Sequence, residues 1–410
     1  MISKRSIKKL LVLLAVLVTV LMSKSYYFGV ANREIFQYIY YATVIFAGLV
    51  VGINLKKIKN AILILFPTLI LIVFNLIFTS GNMTANGMNQ VLGIALFFIC
   101  AGIAGSYITI DQFARYYINI LYIICLISLP CFLIANFNPE LALSFCQPGY
   151  NWQVPVGYSF FYTWGWNGTI FQRNSGVFWE PGAFQGFIIL AMLMLLYESD
   201  KTTVQNRKLK FLVFALTLLT TQSSTGYILF VVILLTQWQK IQDIFGDVNI
   251  VARNLFVVAI VIGAIAIIIS SGNISNKLAN TSTDSAAIRF SDIAGGGLMV
   301  LKGGLFGLGE TTTRDYYRTL FGVSVNDSAG LLTMAYTYGI IFAAYYLYTM
   351  IRGIKKFFFI KKGWDIIVLI VIFLILHLTE GLWWLPVYVT IPIIGILGRG
   401  APQRSNQQYL

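Results

Sequence analysis

An arginine and a glutamate stand seven positions apart in FQRNSGVFWEPGAFQGFII (residues 171–189), directly in front of a long apolar run. If that run is a membrane helix, Arg173 and Glu180 lie at or just above its outer end. Glu180-Pro181 reads as a helix start, because proline suits the first turn and a carboxylate there complements the helix dipole. Further charges fall in two other places. Arg289, Asp292, Arg314, Asp315 and Arg318 lie in a later polar stretch, and His377 and Glu380 close an apolar run in FLILHLTEGLWW. Separated arginines match a diphosphate, since the guanidinium fork donates paired charge-assisted bonds to phosphate oxygens. A histidine, with its near-neutral pKa, can accept a proton from an attacking hydroxyl. Ionisable groups at the end of a span are costly unless paired or hydrated, which makes them functional candidates.

Each residue also has a plainer reading. Arg173 can pair with Glu180 or reach lipid headgroups, and Arg289 can be a solvated loop charge. Arg314 and Arg318 are spaced like one face of a short surface helix. His377 can be a core histidine bonded to a backbone carbonyl, and Glu380 a helix cap. The aromatic run that includes Trp164 and Trp166 is either the loop's own core or a platform on which sugar rings stack.

The elements that must position these groups follow from composition. The chain has 410 residues, 58% hydrophobic and 11% charged, with a mean hydropathy of +0.78. Soluble domains carry roughly a quarter charged residues, so the expectation is an all-α, polytopic membrane bundle forming one integral domain over residues 1–410. The apolar runs predict about twelve transmembrane helices, each near the ~20 residues that cross the hydrocarbon. They lie near 10–22, 35–53, 62–78, 91–108, 117–135, 183–197, 209–221, 225–238, 255–270, 329–351, 364–377 and 382–397. A re-entrant hairpin around Gln222-Ser223-Ser224 is the alternative for one pair. Two long polar segments, 136–180 and 271–327, are far above the usual connection length of roughly 4–6 residues, and are expected to be folded and functional.

Basic residues collect in alternate loops, including Lys4, Arg5, Lys56, Lys57, Arg207, Lys208, Lys355 and Lys356. The positive-inside rule then puts both termini in the cytoplasm and both long segments outside. The net charge of +14 is thus topological, and no nucleic-acid partner is expected. One histidine and no carboxylate cluster argue against a metal site, and scattered cysteines argue against a disulfide framework. No phosphate-binding loop is present and no cofactor is expected; GGLFGLG (Gly303–Gly309) is only a weak glycine pattern.

RNSGVFWEP (Arg173–Pro181), the second polar segment with Arg289 leading to GLFGLG, and HLTEGL (His377–Leu382) resemble the O-antigen polymerase and ligase superfamily, nearest to its Wzy-type polymerases. The resemblance implies a GT-C-like, metal-independent membrane glycosyltransferase of a Gram-negative inner membrane. It implies a donor and an acceptor that are both undecaprenyl-diphosphate-linked glycans, with a chain-length regulator as a candidate partner. Arg173 and Arg289 would bind diphosphate, with Glu180, Arg314 and Arg318 supporting them. His377 and Glu380 would be the catalytic pair, either serving as the base. The ligase pattern of an arginine with a glycine eleven positions on is not met, because Phe184 and Val300 stand there. A ligase acting on lipid A-core and a lipid-linked glycan flippase are the alternatives.

Overall fold

The structure, a computed structural model, describes residues 3–79, 85–151, 154–165, 172–197, 204–246, 285–309, 329–361 and 363–398, with isolated positions between 251 and 313. Helix α1 (Lys4–Met22) starts on Ser3, whose hydroxyl accepts from the Ser6 amide, and leads into a π-helical turn (Tyr26–Ala31). The long helices follow: α2 (Arg33–Val51), α3 (Leu55–Phe78), α4 (Ala85–Tyr107) and α5 (Ile110–Phe137). Thr109 and Gln112 cap α5 reciprocally, satisfying two amides that the helix itself cannot.

The described part of the first polar segment contains a short helix and three strands. Short α6 (Pro139–Ser144) leads into an antiparallel meander of β1 (Gln147–Asn151), β2 (Val154–Tyr158) and β3 (Thr163–Gly165), with Gln147 opposite Tyr158 and Val156 opposite Gly165. Beyond it come α7 (Pro181–Tyr197), α8 (Arg207–Thr220), α9 (Ser224–Thr236) and α10 (Trp238–Phe245). The second polar segment contains α11 (Ser285–Gly303). The chain closes with α12 (Gly330–Tyr338), α13 (Ile340–Phe357), α14 (Gly363–Thr379) and α15 (Pro386–Leu397).

Helix α7 is the centre: every residue from Gly182 to Leu196 is buried, and α5, α8 and α9 pack around it. A helix that is apolar on all sides has neighbours on all sides. Close approach elsewhere uses small residues. A methyl on Gly353 of α13 would strike Pro392 of α15, and one on Gly395 would strike the Gly353 carbonyl. On the outside, Leu49, Ile62, Leu63, Phe66 and Phe78 are each more than half exposed, an apolar surface suited to lipid.

The span count departs from expectation. Four helices are long and apolar enough to cross a membrane: Arg33–Val51, Leu55–Phe78, Met88–Tyr107 and Ile110–Phe137. Counting α9 with α10, which bend by 80°, makes five among the described residues, not twelve. The run expected at 255–270 lies almost wholly outside them. Hydropathy reports removal from water and does not distinguish lipid from protein. The later apolar runs form shorter helices, of 17 residues in α7 and α14 and 12 in α15, several of them deep in the bundle. They end in irregular backbone, which a membrane protein tolerates where protein surrounds it. The run at 329–351 is split the same way, at Gly339 between α12 and α13 (φ +98°). The sharp bend between α9 and α10 falls at Gln237, and the chain also breaks between α8 and α9, where Gln222 has φ +50°.

Candidate functional site

Several connections meet where α1 and α14 finish and α7 and α15 begin. Ser23, after α1, accepts from the Val387 amide of α15 at 2.9 Å. Ser25 bridges to Phe178, and the Tyr26 amide donates to the Val177 carbonyl at 2.7 Å. This seats the Arg173–Pro181 segment on the end of the bundle.

Its Asn-Ser-Gly forms the expected turn. Buried Asn174 donates to Thr220 Oγ1 (2.9 Å) and Ser128 Oγ (3.2 Å), while its Oδ1 accepts from the Gly176 amide. Gly176 has φ +54°, with the Phe184 ring where a Cβ would stand, so glycine is required there. The turn aims Arg173 at the break between α8 and α9, where its Nε donates to the Thr221 carbonyl at 3.1 Å. Glu180 is half-buried, and its carbonyl accepts the Phe184 amide to open α7. An ion pair joins Lys240 and Asp365 at the other end of α7.

Glu380 follows the last turn of α14 and is 4% exposed. Its carboxylate packs on Gly182 in the first turn of α7, and a methyl there would overlap Oε1. The first residue of α12, Gly330, lies as tightly on the backbone of His377, Glu380 and Gly381. Three helix ends thus enclose one acid, held close to the N-terminus of α7, where the helix dipole favours negative charge.

His377 is placed differently. Its ring is 1% exposed, Nδ1 donates to the Phe373 carbonyl at 2.7 Å, and Nε2 lies 3.2 Å from Tyr346 Oη. The Tyr346 hydroxyl also reaches the Trp383 carbonyl at 2.9 Å. Both ring nitrogens therefore have protein partners. Trp164 is likewise enclosed, 3% exposed with Tyr162 at 4.6 Å and Phe161 at 6.1 Å between ring centroids. Its ring belongs to the core of the meander. Arg314, Arg318 and Trp166 lie outside the described residues, as does the side chain of Arg289, whose backbone is in α11.

Sequence reasoning passed over three residues here. Lys24, in the left-handed region at φ +60°, lays its ammonium 4.7 Å from the Trp179 ring and 4.9 Å from the Trp384 ring. Gln185 in α7 is fully buried, and neither its Oε1 nor its Nε2 has a hydrogen-bond partner. The Tyr388 hydroxyl, also without a partner, lies over Gly186 and interacts electrostatically with Glu380. The Gln185 side chain lies against Gly226 of α9, whereas the unsatisfied Tyr388 hydroxyl beside an acid calls for an explanation, and a polar ligand is one. A glutamine inside an otherwise apolar run was the available signal for Gln185. For Lys24 there was only its exclusion from the inner loops.

No protein-family model matches the chain, and no curated protein matches it. The resemblance to the polymerase and ligase superfamily therefore rests on the short motifs at Arg173–Pro181, at Arg289 leading to Gly304–Gly309, and at His377–Leu382.

Proposed function

We propose that the protein is an inner-membrane glycosyltransferase that joins undecaprenyl-diphosphate-linked repeat units at the outer face of the membrane, an O-antigen-type polymerase. The observation that carries this reading is the buried Glu380 carboxylate, held against the start of α7 while the start of α12 packs on its backbone, at the end of the bundle that also carries the Arg173 turn. In this reaction the free hydroxyl of an incoming repeat attacks the anomeric carbon of the growing chain. A carbon–oxygen bond forms as the bond from that carbon to the diphosphate breaks, and the leaving group departs with the electron pair. Glu380 takes the hydroxyl proton. Arg173 and Arg289 stabilise the departing diphosphate by charge-assisted bonds, so electrostatics supply the catalysis. His377, with both nitrogens engaged inside the fold, acts as a positioning residue that fixes the end of α14 through Tyr346. Single displacement inverts the anomeric centre.

The test is chain extension by purified protein in detergent, with lipid-linked repeat units as the only substrate. Products longer than one repeat, lost in Glu380→Gln at unchanged protein level, are expected. Transfer of a preformed chain to lipid A-core without extension would identify a ligase. Absence of any product, together with movement of the lipid across vesicles, would identify a flippase.

A further inference from the structure

A second cluster of positive charge stands on the segments that carry Glu380 and Gly182, and it has no part in the chemistry above. Trp179 stands three positions before Gly182, and Trp384 four after Glu380. Lys24 lies over both indoles, and Arg33, the first residue of α2, lies over Trp384 with Cζ 5.5 Å from the ring. Both cations thus lie against the Trp384 ring. Among the described residues no hydrogen bond or ion pair engages the Arg33 guanidinium, although the side chain is half-buried. Its Nη2 points at the bare flank of α4, where a Cβ on Gly93 would sit 3.9 Å away. The hydroxyl of Tyr41, shut off from solvent and without a hydrogen-bond partner, lies within electrostatic range of the same guanidinium. An open fork, a neighbouring ammonium and a spare hydroxyl are the components of an anion site of phosphate type.

We propose that Arg33 and Lys24, gathered on Trp384 beside Gly93, form a second anion subsite that holds the diphosphate of the acceptor lipid. This rests on the polymerase reading, in which two lipid-linked diphosphates must be bound at once. One leaves and is served by Arg173 and Arg289. The other stays intact throughout, so its site needs charge but no catalytic group, and no carboxylate among the described residues pairs with Arg33. Because Trp384 belongs to the same short connection as Glu380, an acceptor anchored here is tethered next to the base.

The experiment titrates the full-length protein, in nanodiscs of phosphatidylcholine, with undecaprenyl diphosphate, and counts bound lipid by native mass spectrometry. Two equivalents are expected on the wild type. Arg33→Gln should weaken one of them by roughly tenfold or more, the loss of a charged hydrogen-bonding partner, and leave the other within threefold. Gly93→Leu, which fills the space beside the guanidinium without touching its charge, should do the same, while Arg173→Gln should weaken the other equivalent. Inorganic pyrophosphate should compete at both sites, and phosphatidylglycerol at neither. Two equivalents retained at wild-type affinity in both Arg33→Gln and Gly93→Leu would overturn the subsite and leave the polymerase reading intact. Displacement by phosphatidylglycerol would reduce it to a general lipid-headgroup contact. No binding to the wild type would remove both the subsite and the function on which it rests.

Discussion

The Glu380 carboxylate and the Gly182 Cα are in contact across the junction of α14 and α7, in a space that admits hydrogen but no methyl. This contact fixes the acid against the first turn of the central helix, which is buried from Gly182 to Leu196. Gly182→Ala should therefore separate stability from activity. Alanine favours a helical position by about 0.5–1 kcal/mol over glycine, which offsets part of the steric cost. The carboxylate must move, however, and a displacement of about 1 Å can cost ~100-fold in rate. Chain extension should fall by that order, with the melting temperature changed by only a few degrees. Full activity in Gly182→Ala would show that Glu380 is not held for chemistry.

The two candidate bases make opposite predictions. Glu380→Gln keeps the shape and loses the basic oxygen, and should reduce extension by about 100-fold or more with little loss of stability. His377→Phe removes the bond to the Phe373 carbonyl and the contact with Tyr346. It should lower stability by about 1–3 kcal/mol, read as a lower midpoint of thermal aggregation. Its extension rate per folded molecule should stay within about tenfold of wild type, less than removal of a general base costs. The reverse pattern, an inactive but stable His377→Phe, would exchange the two roles.

Arg173 tests the diphosphate assignment through geometry rather than charge. Nε is committed to the Thr221 carbonyl, which fixes the orientation of the guanidinium fork. Arg173→Lys retains the charge but has no group to reproduce that anchor. Extension should drop roughly tenfold or more, the loss expected for a charged hydrogen bond, and Arg173→Gln should drop it further. Equal activity of the lysine variant would mean that charge alone suffices and that the α8–α9 break plays no part.

These expectations mark what the sequence could and could not reveal. RNSG announces a turn because Asn and Gly have few alternatives there, and Pro181 announces a helix start because of its fixed φ. Both are local properties, and both appear in the fold. The number of crossings is not local. The apolar runs of α7 and α15 would read the same against lipid or against α5 and α13, and only packing distinguishes the two. The site divides along the same line. Glu380 was readable as an acid at the end of an apolar run, but its contact with Gly182 joins positions 198 apart in the chain. His377 was singled out as the one histidine, and residue type could not disclose that Phe373 and Tyr346 occupy its nitrogens. Lys24 carried no motif, since its role depends on Trp179 and Trp384 arriving from two distant segments.

Lys24 permits a final test in which the backbone and side-chain terms have opposite signs. At φ +60° a residue with a Cβ is strained by about 1 kcal/mol, and Lys24 accepts that strain while its ammonium lies over two indoles. Each cation–π contact contributes about 0.5–2 kcal/mol, enough to offset the backbone term. Lys24→Ala loses the contacts and keeps the strain, whereas Lys24→Gly loses the contacts and relieves it. Lys24→Gly should therefore be more stable than Lys24→Ala by about 1 kcal/mol, with both below wild type, as read from thermal aggregation in detergent. An alanine variant as stable as the glycine variant would mean that the turn relaxes once the ammonium is gone. The left-handed conformation would then be a consequence of the Trp179–Lys24–Trp384 stack, and not the feature that aims Lys24 into it.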